Sequence, residues 1–303
     1  MSARPLSPPG MEFFAARRPP GGEGRIEILL GDVALRLEGL DEDLRARLAE
    51  RYGAYGGPIP AAASSILVEV CDEADREYYI DPPAQAELNP VLLAVEGARV
   101  RYLGYRAAGW FDLEQGRGEL LLARGAYEPA DRAAENFIRA SIAWLAATRG
   151  GALVHAASGV HRGRGYLFYG ESGAGKSTLS ASNRRARIVS DDLSLVLPAP
   201  DGRPELVGSP FRGTYEDGER VLGRFPLAAG FRLIQAREAE VRPVARIRAL
   251  SELVGNLPFV AEAFGKRPDL FDRVEHAFRD VPLGHLHFRK DDSYWDAIER
   301  AGL

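Results

Sequence analysis

The 303-residue chain is 46% apolar and 27% charged, enough to pack the cores of two ordinary domains without metals or disulfides. Its formal net charge of −4 argues against a dedicated nucleic-acid surface, which uses clustered positive charge to displace counterions from phosphates. No apolar run reaches the roughly eighteen residues of a membrane span, the first 22 residues lack a signal peptide's apolar core, and a single cysteine, Cys71, rules out an internal disulfide; the expectation is a cytoplasmic protein with no membrane partner.

Residues 1–23, rich in proline, glycine and scattered arginine, predict a disordered tail without enough apolar area to order it. Residues 25–30 and 33–37 are β-prone runs around Gly31-Asp32, a hairpin signal, and Asp41 opens a helix with Leu44, Leu48 and Tyr52 at helical spacing. Further strands are expected at 65–70, 92–95, 98–102 and 119–122, so that 24–125 reads as a small, mostly antiparallel α+β domain. Cys71, preceded by the apolar run 66–70, reads as a core or sheet position rather than a reactive thiol.

The span 128–148 carries Ala134, Phe137, Ile138, Ile142, Leu145 and Ala146 as one apolar stripe, ended by Gly150-Gly151. This helix leads into a second domain, the whole of which is taken as 126–303. Strands are expected there at 152–160, 165–169, 187–190, 193–197, 231–235 and 285–288, with helices at 176–182, 246–254 and 293–301.

Between the apolar run Tyr166-Leu167-Phe168-Tyr169 and the short helix lies Gly170-Glu171-Ser172-Gly173-Ala174-Gly175-Lys176-Ser177, followed by Thr178. Strand, glycine-rich loop and helix in that order make a phosphate-binding loop: glycines allow successive N–H groups to wrap a phosphate, and the helix start adds a favourable dipole. Lys176 is expected to reach the β and γ phosphates of ATP, and the Ser177 hydroxyl to ligate Mg2+. Lys176 is one of only three lysines, with Lys266 and Lys290, against thirty-six arginines.

Fifteen residues after Lys176, Asp191-Asp192 ends the apolar run 188–190. A short crossover can return this run as a strand beside the one feeding the loop, bringing two carboxylates near the phosphates, one to hold magnesium and one to accept a hydroxyl proton. The bland alternative is a solvated turn or cap. The segment 161–164 makes a tight turn, and a hairpin about it sets His155 opposite Gly170, at the mouth of the loop, for a catalytic or orienting role or a structural hydrogen bond. His161, in the turn, is expected to be exposed. His285 and His287 share a strand face, but no cysteine or carboxylate in the same run completes a metal site.

Val154-His155-Ala156-Ala157, the loop that follows and Ser190-Asp191-Asp192 together resemble the catalytic domain of the HPr kinase/phosphorylase family and its divergent relatives encoded beside ribosomal peptide precursors, a superfamily similar to ATP-dependent phosphoenolpyruvate carboxykinase. The resemblance covers 152–197. It implies an α/β fold, with a P-loop-containing HPr kinase/phosphoenolpyruvate carboxykinase-like catalytic domain after the small α+β domain. It also implies an ATP- and Mg2+-dependent kinase acting on a serine hydroxyl of a peptide or protein. By position, His155 and Asp191 would activate the acceptor, Asp192 with Ser177 would hold magnesium and Lys176 would steady the phosphates; the two aspartates could also exchange roles. Ser209-Pro210-Phe211-Arg212-Gly213-Thr214 loosely matches the family's glycine- and arginine-containing signature, making Arg212 a candidate clamp on the transferred phosphate, or a plain surface arginine.

The amino-terminal domain does not match that family, so HPr as substrate and reverse phosphorolysis are not implied. That domain could recognise a substrate segment or mediate self-association into a homo-oligomer, and the loop 213–224 could grip substrate or be disordered. The rival readings are a kinase of a small hydroxylated metabolite and a nucleotide-sensing regulator without transferase activity. The guanine-reading Asn-Lys-x-Asp pattern and an ABC-type signature are both absent from the sequence.

Overall fold

Aromatic area overrides composition at the N-terminal segment. The computed structural model describes residues 6–83, 90–213 and 221–303, and the described part of the segment expected to be disordered is ordered: α1 (Met11–Phe14) buries Phe14, and Pro20 bridges Cys71. Phe14 packs with Cys71, Ile80, Leu103, Tyr105, Ala108 and Leu121, while Met11 and Phe13 lean on the same cluster. Arg18 fastens the segment by pairing with Glu73 and donating to the Phe13 carbonyl at 3.1 Å.

The chain divides into two units, Met1–Leu145 and Ala146–Leu303. In the first, Gly31 at φ 63° closes a tight hairpin between β1 (Gly24–Leu30) and β2 (Val33–Leu40), pairing Leu30 with Val33. Asp41 caps α2 (Glu42–Tyr52), accepting the Leu44 N–H at 2.7 Å, and Leu44, Leu48 and Tyr52 are buried. With β3 (Ser64–Glu73), β4 (Leu92–Glu96), β5 (Arg99–Leu103), β6 (Ala107–Asp112) and β7 (Arg117–Ala123), the strands form one sheet in the order β1-β2-β3-β7-β6-β5-β4. Only β2/β3 and β3/β7 pair in parallel.

Strand β6 was not expected, because its Ala-Ala-Gly opening lacks β-forming side chains. The glycine has a packing reason: a Cβ at Gly109 would stand 2.8 Å from the Phe137 ring of α3 (Ala130–Thr148). That ring also meets Tyr102 and Phe111 edge-on. The division between units accordingly falls inside α3, at 145/146 and not at 125/126.

In the second unit, β8 (Ala152–His161) and β9 (Arg164–Tyr169) form the expected hairpin, with Ala156 opposite Tyr169 and His161 opposite Arg164. Then come α4 (Lys176–Ser182), β10 (Arg187–Ser190), β11 (Leu193–Pro198), β12 (Pro204–Val207), β13 (Arg224–Gln235), β14 (Glu240–Pro243), α5 (Arg246–Val254), α6 (Pro268–Phe278), β15 (Leu283–Phe288) and α7 (Tyr294–Arg300). Strands β8-β11-β12-β13-β9 close on themselves as a five-stranded barrel, since β9 pairs with both β13 and β8. β15 and β14 extend the sheet from β13.

Strand β9 is apolar on both faces because both are covered. Leu167 and Tyr169 share a core with Leu253 of α5 and Phe278 of α6; Tyr166 and Phe168 share another with Leu179 of α4 and Trp295 of α7. Two expectations fail here. β10 lies beside β8, not beside β9. His161 is buried, not exposed: it stacks on Trp295 at 4.4 Å, and its ring nitrogens meet the Arg185 carbonyl and Glu299 carboxylate, both at 3.0 Å. Among the described residues no helix is long and apolar enough to cross a membrane.

Candidate active site

The loop after β9 takes a conformation that its glycines make possible. Gly173 lies at φ 82° and Gly175 at φ 108°, a region costly for residues with a Cβ. At Gly175 space is also short, since a Cβ would stand 2.6 Å from Phe288 Cζ at the end of β15. Lys176 begins α4 and folds back over the loop, its Nζ donating to the Gly170 carbonyl at 2.7 Å and to that of Glu171 at 3.4 Å. Burial holds its ammonium below the usual lysine pKa, and the negative charge of Asp192 opposes that shift.

The loop is braced from β13. Gln235 donates to the Gly173 carbonyl at 2.9 Å, and Arg232 pairs with the exposed Glu171 at 3.0 Å. Arg232 also pairs with Glu252 of α5 at 2.9 Å, and Glu252 meets His285 at 2.7 Å. His285 is thus a buried partner of Glu252. No group of three or more His, Cys, Asp or Glu side chains among the described residues is arranged to hold a metal by itself.

The β8/β9 pairing ends at Ala156 opposite Tyr169, one residue before His155, which pairs with Leu193 of β11 on its other flank. Its backbone N–H donates to the Asn256 carbonyl at 2.7 Å. The imidazole is 45% exposed, with Nε2 3.6 Å from Asp192 Oδ1, close enough for an ion pair when protonated but too long for a good hydrogen bond.

The two aspartates sit at a break in one line of strand: β10 pairs with residues 158–160 of β8, and β11 with residues 152–155. Ser190 fixes the break. Its buried hydroxyl donates to the Phe211 carbonyl and accepts the N–H groups of Asp192 and Leu193, each at 3.1 Å. Asp191 is 4% exposed and accepts the Gly213 N–H at 2.8 Å, whereas Asp192 is half-buried. The pair therefore lies close to the loop although its strand is not the loop strand's neighbour, because β8 carries the break on one edge and β9 on the other.

A cleft of about 520 Å³ gathers these groups. Its lining comprises His155, the loop and α4 residues Ser172, Gly173, Gly175, Lys176, Ser177 and Thr178, both Asp191 and Asp192, and also Gly213, Gln235 and Lys290. Arg212, the candidate phosphate clamp or plain surface arginine, is neither at the surface nor among the described lining residues: it is buried at 7% exposure, and the chain reaches the cleft one residue later, at Gly213. Thr214 and most of the segment 213–224 lie outside the described residues.

Gln235 and Lys290 were not anticipated from sequence. Parallel pairing brings them in: β9, β13 and β15 run the same way, so the loop, Gln235 and the turn after Phe288 emerge at one end of the sheet. A sequence signal for Lys290 did exist, since two of the three lysines of an arginine-rich chain now line one cleft. No protein-family model matches the chain, and no curated protein matches it.

Proposed function

We propose that this cleft binds ATP with magnesium and transfers the γ-phosphoryl group to a serine hydroxyl of a peptide or protein, as a kinase of the HPr kinase-like kind. The observation that carries the reading is the gathering of the loop lysine, a loop hydroxyl, two carboxylates and an accessible imidazole in one cavity of about 520 Å³. A glycine-rich turn serving structure alone has no need of the last three.

The donor set suits magnesium, a hard cation that takes oxygen ligands and leaves its remaining positions to water and phosphate. Ser177, exposed in the cleft, and Asp192, the carboxylate whose charge acts on Lys176, are the residues to hold it. Bound there, it would neutralise charge building up on the phosphates. Lys176 meets the β and γ phosphates. His155, the accessible member of the group, accepts the hydroxyl proton, and Asp191, held by the Gly213 N–H, orients the acceptor. The serine acceptor rests on the resemblance over 152–197.

The test is incubation with γ-labelled ATP and magnesium, with peptides, proteins and small hydroxylated compounds as acceptors, beside Lys176→Ala, Asp191→Asn and His155→Ala. Label on a peptide serine, abolished in the first two variants and slowed about 10²–10⁴-fold in the third, supports the assignment. Label on a metabolite moves the substrate class. Tight ATP binding with no labelled acceptor favours a nucleotide-sensing regulator.

A further inference from the structure

The cleft contains two lysines, and their surroundings differ. Lys176 is 8% exposed, and its ammonium is already engaged by the carbonyls of Gly170 and Glu171. An ammonium has three donors, so the loop itself occupies most of what Lys176 can offer. Lys290 lies exposed in the turn between β15 and α7 and makes no ion pair among the described residues.

Its neighbours are accounted for. Arg289 pairs with Asp291, and Asp291 accepts the Ser293 N–H at 3.1 Å, so this short turn is tied at both sides of Lys290. The turn is anchored beneath the loop, because Phe288, two residues before Lys290, is the ring that meets Gly175. Lys290 is therefore a cation with no ion pair among the described residues, on a fixed base beside a loop whose own cation is largely committed.

Phosphoryl transfer spreads negative charge over the three equatorial oxygens of the moving group, and a positive charge held there stabilises the transition state. Arg212, the sequence candidate for that role, is not among the described lining residues. We propose that Lys290 is a catalytic residue that contacts the γ-phosphoryl group. This rests on the phosphoryl-transfer reading above.

Titration calorimetry with a non-hydrolysable Mg·ATP analogue and with Mg·ADP, on wild type, Lys290→Ala, Lys290→Arg and Lys176→Ala, tests it. Lys290→Ala should lose about tenfold or more in affinity for the triphosphate and less than about twofold for the diphosphate, with Lys290→Arg largely retaining the difference. Lys176→Ala should weaken both. If wild type binds both nucleotides and Lys290→Ala weakens neither, or both alike, the role of Lys290 is overturned while nucleotide binding stands. If wild type binds neither, the kinase reading falls and the inference with it.

Discussion

Replacing Gly175 by alanine strains the loop in two independent ways. At φ 108° a residue with a Cβ costs about 1–2 kcal/mol more than glycine. The added carbon would also stand 2.6 Å from Phe288 Cζ, and overpacking of this kind costs about 1–3 kcal/mol. Phe288 is 1% exposed within the core formed by Phe168, Phe231, Leu286 and Trp295, so its ring cannot retreat cheaply. The loop, with Ser172, Gly173 and Ser177 exposed, gives way instead. The melting temperature should therefore move little, while the proposed Mg·ATP binding weakens by at least about 2 kcal/mol, roughly thirtyfold. Calorimetry and thermal unfolding on Gly175→Ala, Phe288→Leu and the double variant separate the two contributions. Leucine lacks the Cζ atom, so the double variant should recover the packing share and leave the backbone share. Wild-type affinity in Gly175→Ala, or no recovery in the double variant, would refute the reasoning.

Ser190→Ala leaves the Phe211 carbonyl and the N–H groups of Asp192 and Leu193 without their shared partner in a fully buried site; it should cost about 1–3 kcal/mol in urea unfolding and depress the proposed phosphoryl transfer by letting the carboxylates shift. Trp295→Ala removes the ring stacked on His161 and the donor to Asn183 at 3.0 Å, and should cost about 3–5 kcal/mol by the same measurement. Burial raises the pKa of Glu252, but hydrogen bonds from His285, Arg248 and Arg232 outweigh it and hold the carboxyl below its usual 4.5. That contribution to stability is present above pH 4.5 and lost as pH falls through the lower folded value, so Glu252→Gln should flatten the acid limb of a stability-pH profile. Burial, reinforced by Glu69 and Glu119, pushes the Cys71 thiol up to about 12; iodoacetamide at pH 8 should label it slowly in the native protein and rapidly in urea.

Much of the site was legible because its parts are local or follow from a fixed period. The β8/β9 turn sets the hairpin register as far as Ala156 opposite Tyr169, so that His155 lines one cleft with Ser172, Gly173 and Gly175 of the loop. The loop's conformation follows from its glycines in the same way. Helix α6 was overlooked despite a Pro268 start and a buried stripe at Leu270, Val274, Ala277 and Phe278. Strand β12 offers four residues and a leading proline, too little pattern to read.

The sequence by itself determined the strand, loop and helix, the paired carboxylates and the order of elements around them, because each depends on neighbours a few residues apart. Tertiary structure alone decided which edge received β10, that a barrel closes through β12, that Phe14 orders the N-terminal segment and that Lys290, 114 positions beyond Lys176, shares its cleft. Those outcomes depend on which apolar faces find each other across long stretches of chain, and periodicity shows that a face is apolar without showing what covers it.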